Sequence, residues 1–384
     1  MTHRTPHVAL FLESLEGGGL ERMMLNLARG LSEYGLSVDL VLAKATGPYL
    51  ADLPSSVNLV DLEASRVLYS ISKLVNYLKT YRPQVLLSSA VHVNIMAATA
   101  AKIARSGTVV LFREASTLSV QMDALQGFKA NITKAVMPLV YGWADAYVAV
   151  SRGVADDMIR FLNLPREKVH VVYNPVVTDD IFSMAQEPVN HPWINSEGHA
   201  VILAAGSLTP QKDYDTLLRA FSILCRIRPA KLIILGKGQL LEKLNHCCHE
   251  LNIDQDVDFP GFVENPFAYM KRASLFVTSS LREGLPGALI QAMACGCPVV
   301  STDCPSGPAE VLDNGRYGDL VPVQDPEALA AAMHKTLKQP PNTDRLIERA
   351  KHFCLKNAIR GYLDVCSAVG IHLYAITKNE GIRL

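Results

Sequence analysis

An apolar run at residues 8–12 gives way to a glycine-bearing loop at 13–19. Apolar Met23, Met24, Leu27 and Leu31 then recur at helical spacing within residues 20–34. A second short apolar run follows at 37–42. Strand, loop, helix, strand is the opening unit of a doubly wound α/β sheet. Further strands are predicted at 85–88, 109–112, 146–150 and 169–172, with helical segments between them. The pattern breaks at Asn174 and Pro175, and residues 183–199 mix proline, asparagine, glycine and charge without a sustained period, as a linker would. A second alternating series then starts. It comprises strands at 201–205, 231–235, 256–259, 275–278 and 298–301, with a helix at 214–226 after the first of them. Residues 326–369 read as helical with no strand to lead into, so the chain end is expected to return to the first half. The expected division is 1–175 as an N-terminal Rossmann-like domain, 176–355 as a second Rossmann-like domain, and 356–384 as a helical segment packing back on the first.

Length and composition agree with two such domains: 384 residues, 49% apolar and 19% charged. Lysine plus arginine equals aspartate plus glutamate at 37 each, so no global field draws the chain to nucleic acid, and charged ligands must be met locally. No signal-peptide core opens the sequence, and no apolar stretch reaches the roughly 18 to 20 residues of a membrane span. A cytoplasmic location is expected. The eight cysteines follow no framework spacing and read as reduced thiols. His246, Cys247, Cys248 and His249 are adjacent and point in different directions on a helix, which suits two half-buried cysteines better than a metal site.

Two segments carry candidate chemistry. Gly17, Gly18 and Gly19 lie between the first strand and first helix, where bare backbone lets a phosphate approach amide donors. The spacing is not the G-x-G-x-x-G of dinucleotide sites, since Arg22 stands where a glycine would fall. This disfavours a nicotinamide-dependent oxidoreductase. The second segment runs from Ser279 to Val300 and includes Arg282, Glu283, Gly284, Leu285, Pro286 and Gly287. It is read as putting a carboxylate at a strand end beside the amino end of a helix. A carboxylate accepts hydrogen bonds from sugar hydroxyls while helix amides bind phosphate, a combination suited to a sugar phosphate.

This segment, with Ser301 to Glu310 after it and the glycine loop before it, resembles glycosyltransferase family 4. The resemblance implies a retaining enzyme of the GT-B fold, two Rossmann-like domains facing each other across a cleft. In the family a glutamate at the position of Glu283 binds donor-sugar hydroxyls, and a second glutamate, here Gln291, holds the ribose. A lysine matching Lys212 neutralises the diphosphate, usually with an arginine where this chain has Ser207. Gly18 and Gly19 match the glycine loop, His92 and Asn94 match a cleft-facing segment, and backbone groups near Phe262 match the base-binding loop. The expected catalytic set is therefore His92, Lys212 and Glu283. The donor set adds Gly18, Gly19, Ser207, Phe262, Gly284, Leu285, Pro286 and Gln291. Asn94, Glu114 and Asn174 are cleft candidates, though Glu114 also reads as a partner for Arg113 and Asn174 as a shaper of the interdomain turn.

The implied reaction moves a hexose or N-acetylhexosamine from a nucleoside-diphosphate sugar, with uridine the preferred base, to a saccharide or lipid-linked acceptor in polysaccharide or glycolipid assembly. Arg113 and Arg282 are the cations that would stand in for the one absent at 207. No metal-binding D-x-D triplet appears in this reading, so no metal or other cofactor is expected. Residues 135–141 and 66–81, with Lys73, Lys79 and Arg82, are candidates for peripheral membrane contact, with ordinary domain helices as the alternative. The competing function is a nucleotide-sugar epimerase or a donor-binding protein without transfer, which Ser207 and Gln291 keep open.

Overall fold

Both series of apolar runs fold into wholly parallel sheets. The computed structural model describes residues 7–16, 18–124 and 127–373. The chain divides into two units, Met1–Pro175 with Leu355–Leu384, and Val176–Cys354.

The first unit contains β1 (His7–Leu12), β2 (Ser37–Leu42), β3 (Val57–Asp61), β4 (Val85–Ser89), β5 (Val109–Glu114), β6 (Ala146–Ala149) and β7 (Val169–Val171) in the order β3-β2-β1-β4-β5-β6-β7. Continuous apolar runs suit strands covered on both faces, and β1 is buried from Val8 to Leu12. The edge strand β3 escapes the sequence pattern because it is half exposed, with polar Asn58 and Asp61 in a run of five. The helix Gly19–Glu33 buries Met24, Leu25, Leu27, Ala28 and Leu31. The helix Leu355–Ala368 packs beside it, and Gly30 permits the approach: a Cβ there would meet Leu355 Cδ1 at 2.8 Å and Ile359 Cδ1 at 2.9 Å.

The second unit contains β8 (Ala200–Ala205), β9 (Ala230–Leu235), β10 (Val257–Gly261), β11 (Leu275–Thr278), β12 (Val299–Thr302) and β13 (Asp319–Val321), ordered β10-β9-β8-β11-β12-β13. The three-residue edge strand β13 was not legible as a run. Residues 183–199 are not a linker but part of this unit, because their backbone carbonyls are taken up by neighbouring side chains. Asn265 Nδ2 donates to Met184 O at 2.8 Å, and Arg272 donates to Ala185 O and Gln186 O. The unit closes on itself where the Val176 and Val177 amides both donate to Phe353 O.

In each sheet the strand order reverses at one place, between β1 and β4 and between β8 and β11. Loops leaving the carboxyl ends of two such strands diverge to opposite faces and leave a crevice, the usual ligand position in open parallel sheets. The glycine loop follows β1, the His92 segment follows β4, Ser207 and Lys212 follow β8, and Glu283 follows β11.

Candidate active site

In the second unit, the loops after β8 and β11 meet at one pocket lined by Lys212, Tyr214, Ser280, Glu283, Pro286 and Gly287 among others. Lys212 Nζ donates to Glu283 Oε1 at 2.5 Å, and Ser280 Oγ donates to the same oxygen at 2.7 Å. The two charged side chains are 23% and 10% exposed, so their attraction is poorly screened. Ser279 Oγ donates to the Lys212 carbonyl at 2.8 Å, Leu281 N donates to Gln211 O, and Gln211 Nε2 donates to Arg282 O. The two loops thus position each other. Tyr214 lies against the pair, and burial together with the Glu283 charge raises its phenol well above the ordinary range.

Glu283 sits within the loop, five residues past the last residue of β11, rather than at the strand end. The helix Gly287–Ala294 starts in the same pocket with no side chain capping it, so its first amides remain available to an anion. Gly284 and Leu285 are buried behind this rim and Pro286 lines the pocket. Gly307, at φ +93°, backs the loop; a Cβ there would meet Pro286 Cδ at 2.6 Å and Gly284 O at 3.1 Å. Gln291 lies half-buried further along the helix and is not among the residues lining the pocket.

A neighbouring groove is lined by Gly206, Ser207, Gly236, Lys237, Phe262 and Val263 among others. Gly236 is there because two loops touch backbone to backbone: at φ +147° its Cβ would fall 1.9 Å from Gly206 O. Phe262 is 67% exposed at the rim, a large apolar face open to a ligand. Sequence reading missed Lys237. It stands on the same groove as Ser207 and supplies a cation there from the end of β9; its signal was the G-K-G turn directly after that strand. Arg282 is exposed, and only its carbonyl is engaged by this loop pair.

In the first unit, Gly18 is the cap residue of the helix Gly19–Glu33, again with no side-chain cap, and Gly17 lies outside the described residues. His92 Nε2 and Glu13 Oε2 are 2.9 Å apart, joining the loops after β1 and β4 across the switch point with both side chains more than half exposed. Glu13 is a further residue that sequence reasoning passed over. Ala90, just before the helix Val91–Ala104 that carries His92, is held at φ +83°, an uncommon conformation for a residue with a Cβ.

The other cleft candidates behave differently. Asn94 and Glu114 are 0% and 1% exposed and face the interior. Asn94 Nδ2 donates to Glu114 Oε1 at 2.7 Å, Ser88 Oγ donates to Asn94 Oδ1 at 2.7 Å, and Tyr141 OH donates to Glu114 Oε1. Burial pushes the Glu114 carboxyl up to about 7, against the pull of Tyr141, Asn94 and Arg113. Arg113 does not pair with Glu114 in a direct bridge; its guanidinium donates to Ser89 Oγ at 2.8 Å and to Asn174 Oδ1 at 2.6 Å. Its burial within the first unit also removes it as a stand-in for a cation at Ser207. Asn174 therefore anchors a buried arginine.

Three D-x-D spacings do occur, Asp213 to Asp215, Asp254 to Asp256 and Asp256 to Asp258, contrary to the sequence reading, and Asp258 pairs with His191. Asp213 accepts from Thr216 Oγ1, Asp215 pairs with Arg219, His249 pairs with Asp254, and Lys231 pairs with Asp256. Cys247 and Cys248 are buried rather than half-buried, and their flanking histidines pair with carboxylates.

Two parallel Rossmann-like sheets, each with a helix start that no side chain caps at its switch point, give the chain an α/β fold of GT-B type. The family model described as Glycosyltransferase Family 4 matches residues 17–180, and that of Glycosyl transferases group 1 matches residues 189–353. The chain belongs to these glycosyltransferases. It is 30% identical over 231 residues to N-acetylgalactosamine-N,N'-diacetylbacillosaminyl-diphospho-undecaprenol 4-alpha-N-acetylgalactosaminyltransferase of Campylobacter jejuni, covering 60% of this chain and 61% of that one. It is 29% identical over 202 residues to lipopolysaccharide 1,6-galactosyltransferase of Escherichia coli, covering 50% and 52%. The chain thus spans about half to three-fifths of the length of these curated relatives. Among solved structures, lipopolysaccharide outer core galactosyltransferase WaaB superposes with a TM-score of 0.73 at 19% identity, covering 94% of this chain and 99% of that one. Anabaena HepE in complex with UDP superposes with 0.75 at 18%, covering 95% and 100%.

Proposed function

We propose that this protein is a retaining glycosyltransferase that moves a hexose or N-acetylhexosamine from a nucleoside-diphosphate sugar, with uridine as base, to a lipid-linked or saccharide acceptor. The observation that carries the reading is the Lys212–Glu283 pair beside the uncapped helix Gly287–Ala294. A fixed carboxylate accepts from sugar hydroxyls, while an ammonium and free amides take the charge that builds on the departing diphosphate. Lys237 and Ser207 flank the adjoining groove, where Phe262 offers a face to the base. His92, hydrogen-bonded to Glu13, would serve as a hydrogen-bonding group for the sugar or leaving oxygen. Because lysine and helix ends supply the positive field, transfer is expected without a divalent metal. Activity lost in chelator and restored only by a divalent ion would overturn that.

The acceptor half of the reading rests on the first unit. Ile132, Val136 and Leu139, on the helix Phe128–Tyr141, and Trp143 just beyond it recur at helical spacing and are 37–65% exposed. Lys102 Nζ sits 5.9 Å from the centre of the Trp143 ring. Among the described residues no helix is long and apolar enough to cross a membrane. An exposed apolar stripe with a cation beside it suits shallow contact with an anionic bilayer, where a lipid-linked acceptor would be met. The Campylobacter relative is named for a diphospho-undecaprenol substrate, which supports this acceptor class.

The test is a binding and turnover screen of uridine, guanosine and adenosine diphosphate sugars with a lipid-linked and a soluble saccharide acceptor, using Glu283→Ala as control. Donor binding with acceptor-dependent release of nucleoside diphosphate supports transfer. Interconversion of the donor without acceptor would indicate an epimerase, and binding without turnover a non-catalytic protein.

A further inference from the structure

At the amino ends of β8, β9 and β11, the edge of the second sheet opposite to the Lys212 and Glu283 loops, lies a cavity of about 600 Å³. Its lining includes His199, Arg228, Ser274, His334 and Lys338, with Leu337 among its apolar parts, and contains no carboxylate. Arg228 Nε and His334 Nδ1 are buried atoms with no hydrogen-bond partner. The Arg228 and Lys338 side chains form no ion pair among the described residues. By contrast, nearby Lys335 is neutralised by Asp319 at 2.8 Å. Ser274 Oγ accepts from Val201 N at 3.2 Å, which leaves its own proton to donate.

A buried guanidinium nitrogen without an acceptor is unfavourable, and a lining with two cations and no carboxylate is complementary to an anion, although His199 already meets Trp193 O. We propose that this cavity is a second anion site that binds a small phosphorylated molecule, distinct from the donor pocket. The phosphate is held by Arg228, Lys338 and Ser274, with His334 at its margin. A volume of this size exceeds what a lone phosphate fills, and the Leu337 side gives an organic body such as a sugar a surface to cover. Its position at the far end of strands that also carry the donor loops makes it a place where a phosphorylated metabolite reports to the second unit.

The experiment is titration of the full-length protein with inorganic phosphate, a hexose 6-phosphate and the unphosphorylated hexose, read by calorimetry and by hydrogen exchange. Lys338→Gln, at an exposed helix end, carries little folding risk; Arg228→Gln is the second variant, with folding checked by circular dichroism. We expect hexose phosphate to protect residues 226–229 and 334–340. Its affinity should fall roughly tenfold for each charge removed and be unchanged in Lys212→Ala. The bare hexose should not bind, and inorganic phosphate should bind more weakly. Protection confined to residues 206–212 and 279–289, unaltered affinity in Lys338→Gln, or no binding by either phosphate would overturn the site. Equal affinity for phosphate and hexose phosphate would overturn the organic ligand.

Discussion

Lys212 Nζ and Glu283 Oε1 meet at 2.5 Å although they lie 71 positions apart, each delivered by the loop beyond one of the two strands that flank the switch point. The pairing fixes both groups before any ligand arrives, and the ammonium can move to a phosphate without leaving the carboxylate unsupported, because Ser280 Oγ also donates to it.

If these groups act on the transition state, Lys212→Ala should lower kcat by roughly 100- to 1000-fold, the usual scale for removing one stabiliser of developing negative charge. Glu283→Gln keeps the Ser280 hydrogen bond but loses the charge, and should lower kcat/KM for the sugar donor while leaving binding of the free nucleoside diphosphate nearly unchanged. Steady-state kinetics with nucleotide calorimetry checks both.

Gly19 separates structural from ligand demands. A Cβ at this position meets nothing within 4 Å, and the residue opens a helix, where alanine is favoured over glycine by about 1 kcal/mol in helix interiors. Gly19→Ala should therefore melt at the same or a slightly higher temperature. Gly19→Leu should also fold, yet turn over at least tenfold more slowly, if the space above the helix end receives a phosphate. A Gly19→Leu enzyme with normal kinetics would remove the loop from the mechanism.

Lys237 is expected to supply the charge missing at Ser207. Lys237→Ala should raise the donor KM about tenfold, a loss of about 1.4 kcal/mol. Adding Ser207→Arg to that variant should recover much of it, because both side chains line one groove. Failure of the double variant to recover would place Lys237 outside diphosphate binding.

Glu114 makes stability depend on pH. Its carboxyl is pushed by burial from the ordinary 4.5 up to about 7, so the folded chain holds that proton more tightly than the unfolded one. The contribution is complete below the ordinary value and is lost as pH rises through 7. Glu114→Gln keeps an acceptor for Asn94 and Tyr141 and removes the ionisation. Relative to the parent it should gain up to about 3 kcal/mol between pH 5 and 8, measured by urea denaturation at a series of pH values. Parallel pH profiles for the two proteins would contradict this account.

Much of the fold was legible in the chain. Strands buried on both faces must be continuous apolar runs, so β1, β2, β8 and β11 stand out, and a helix that covers a sheet declares itself by its period. Edge strands β3 and β13 did not, because one side of each lacks a neighbour and tolerates polar residues. Glycine followed by a helix, and the run around Glu283, marked two helix starts that no side chain caps, as local features.

Which polar residues line the pockets was decided by tertiary structure. Asn94, Glu114 and Asn174 look like site residues in sequence, but the first two satisfy each other in the interior and the third holds Arg113. Glu13 and Lys237 look unremarkable until the parallel order brings the Glu13 loop beside the His92 segment and the Lys237 loop beside Ser207. The sequence by itself determined the strands, the helix ends and so the two Rossmann-like halves, since these depend on neighbours a few residues away. The pairing of Lys212 with Glu283 and the burial of Glu114 arise from strand order and packing, which join positions that no local pattern connects.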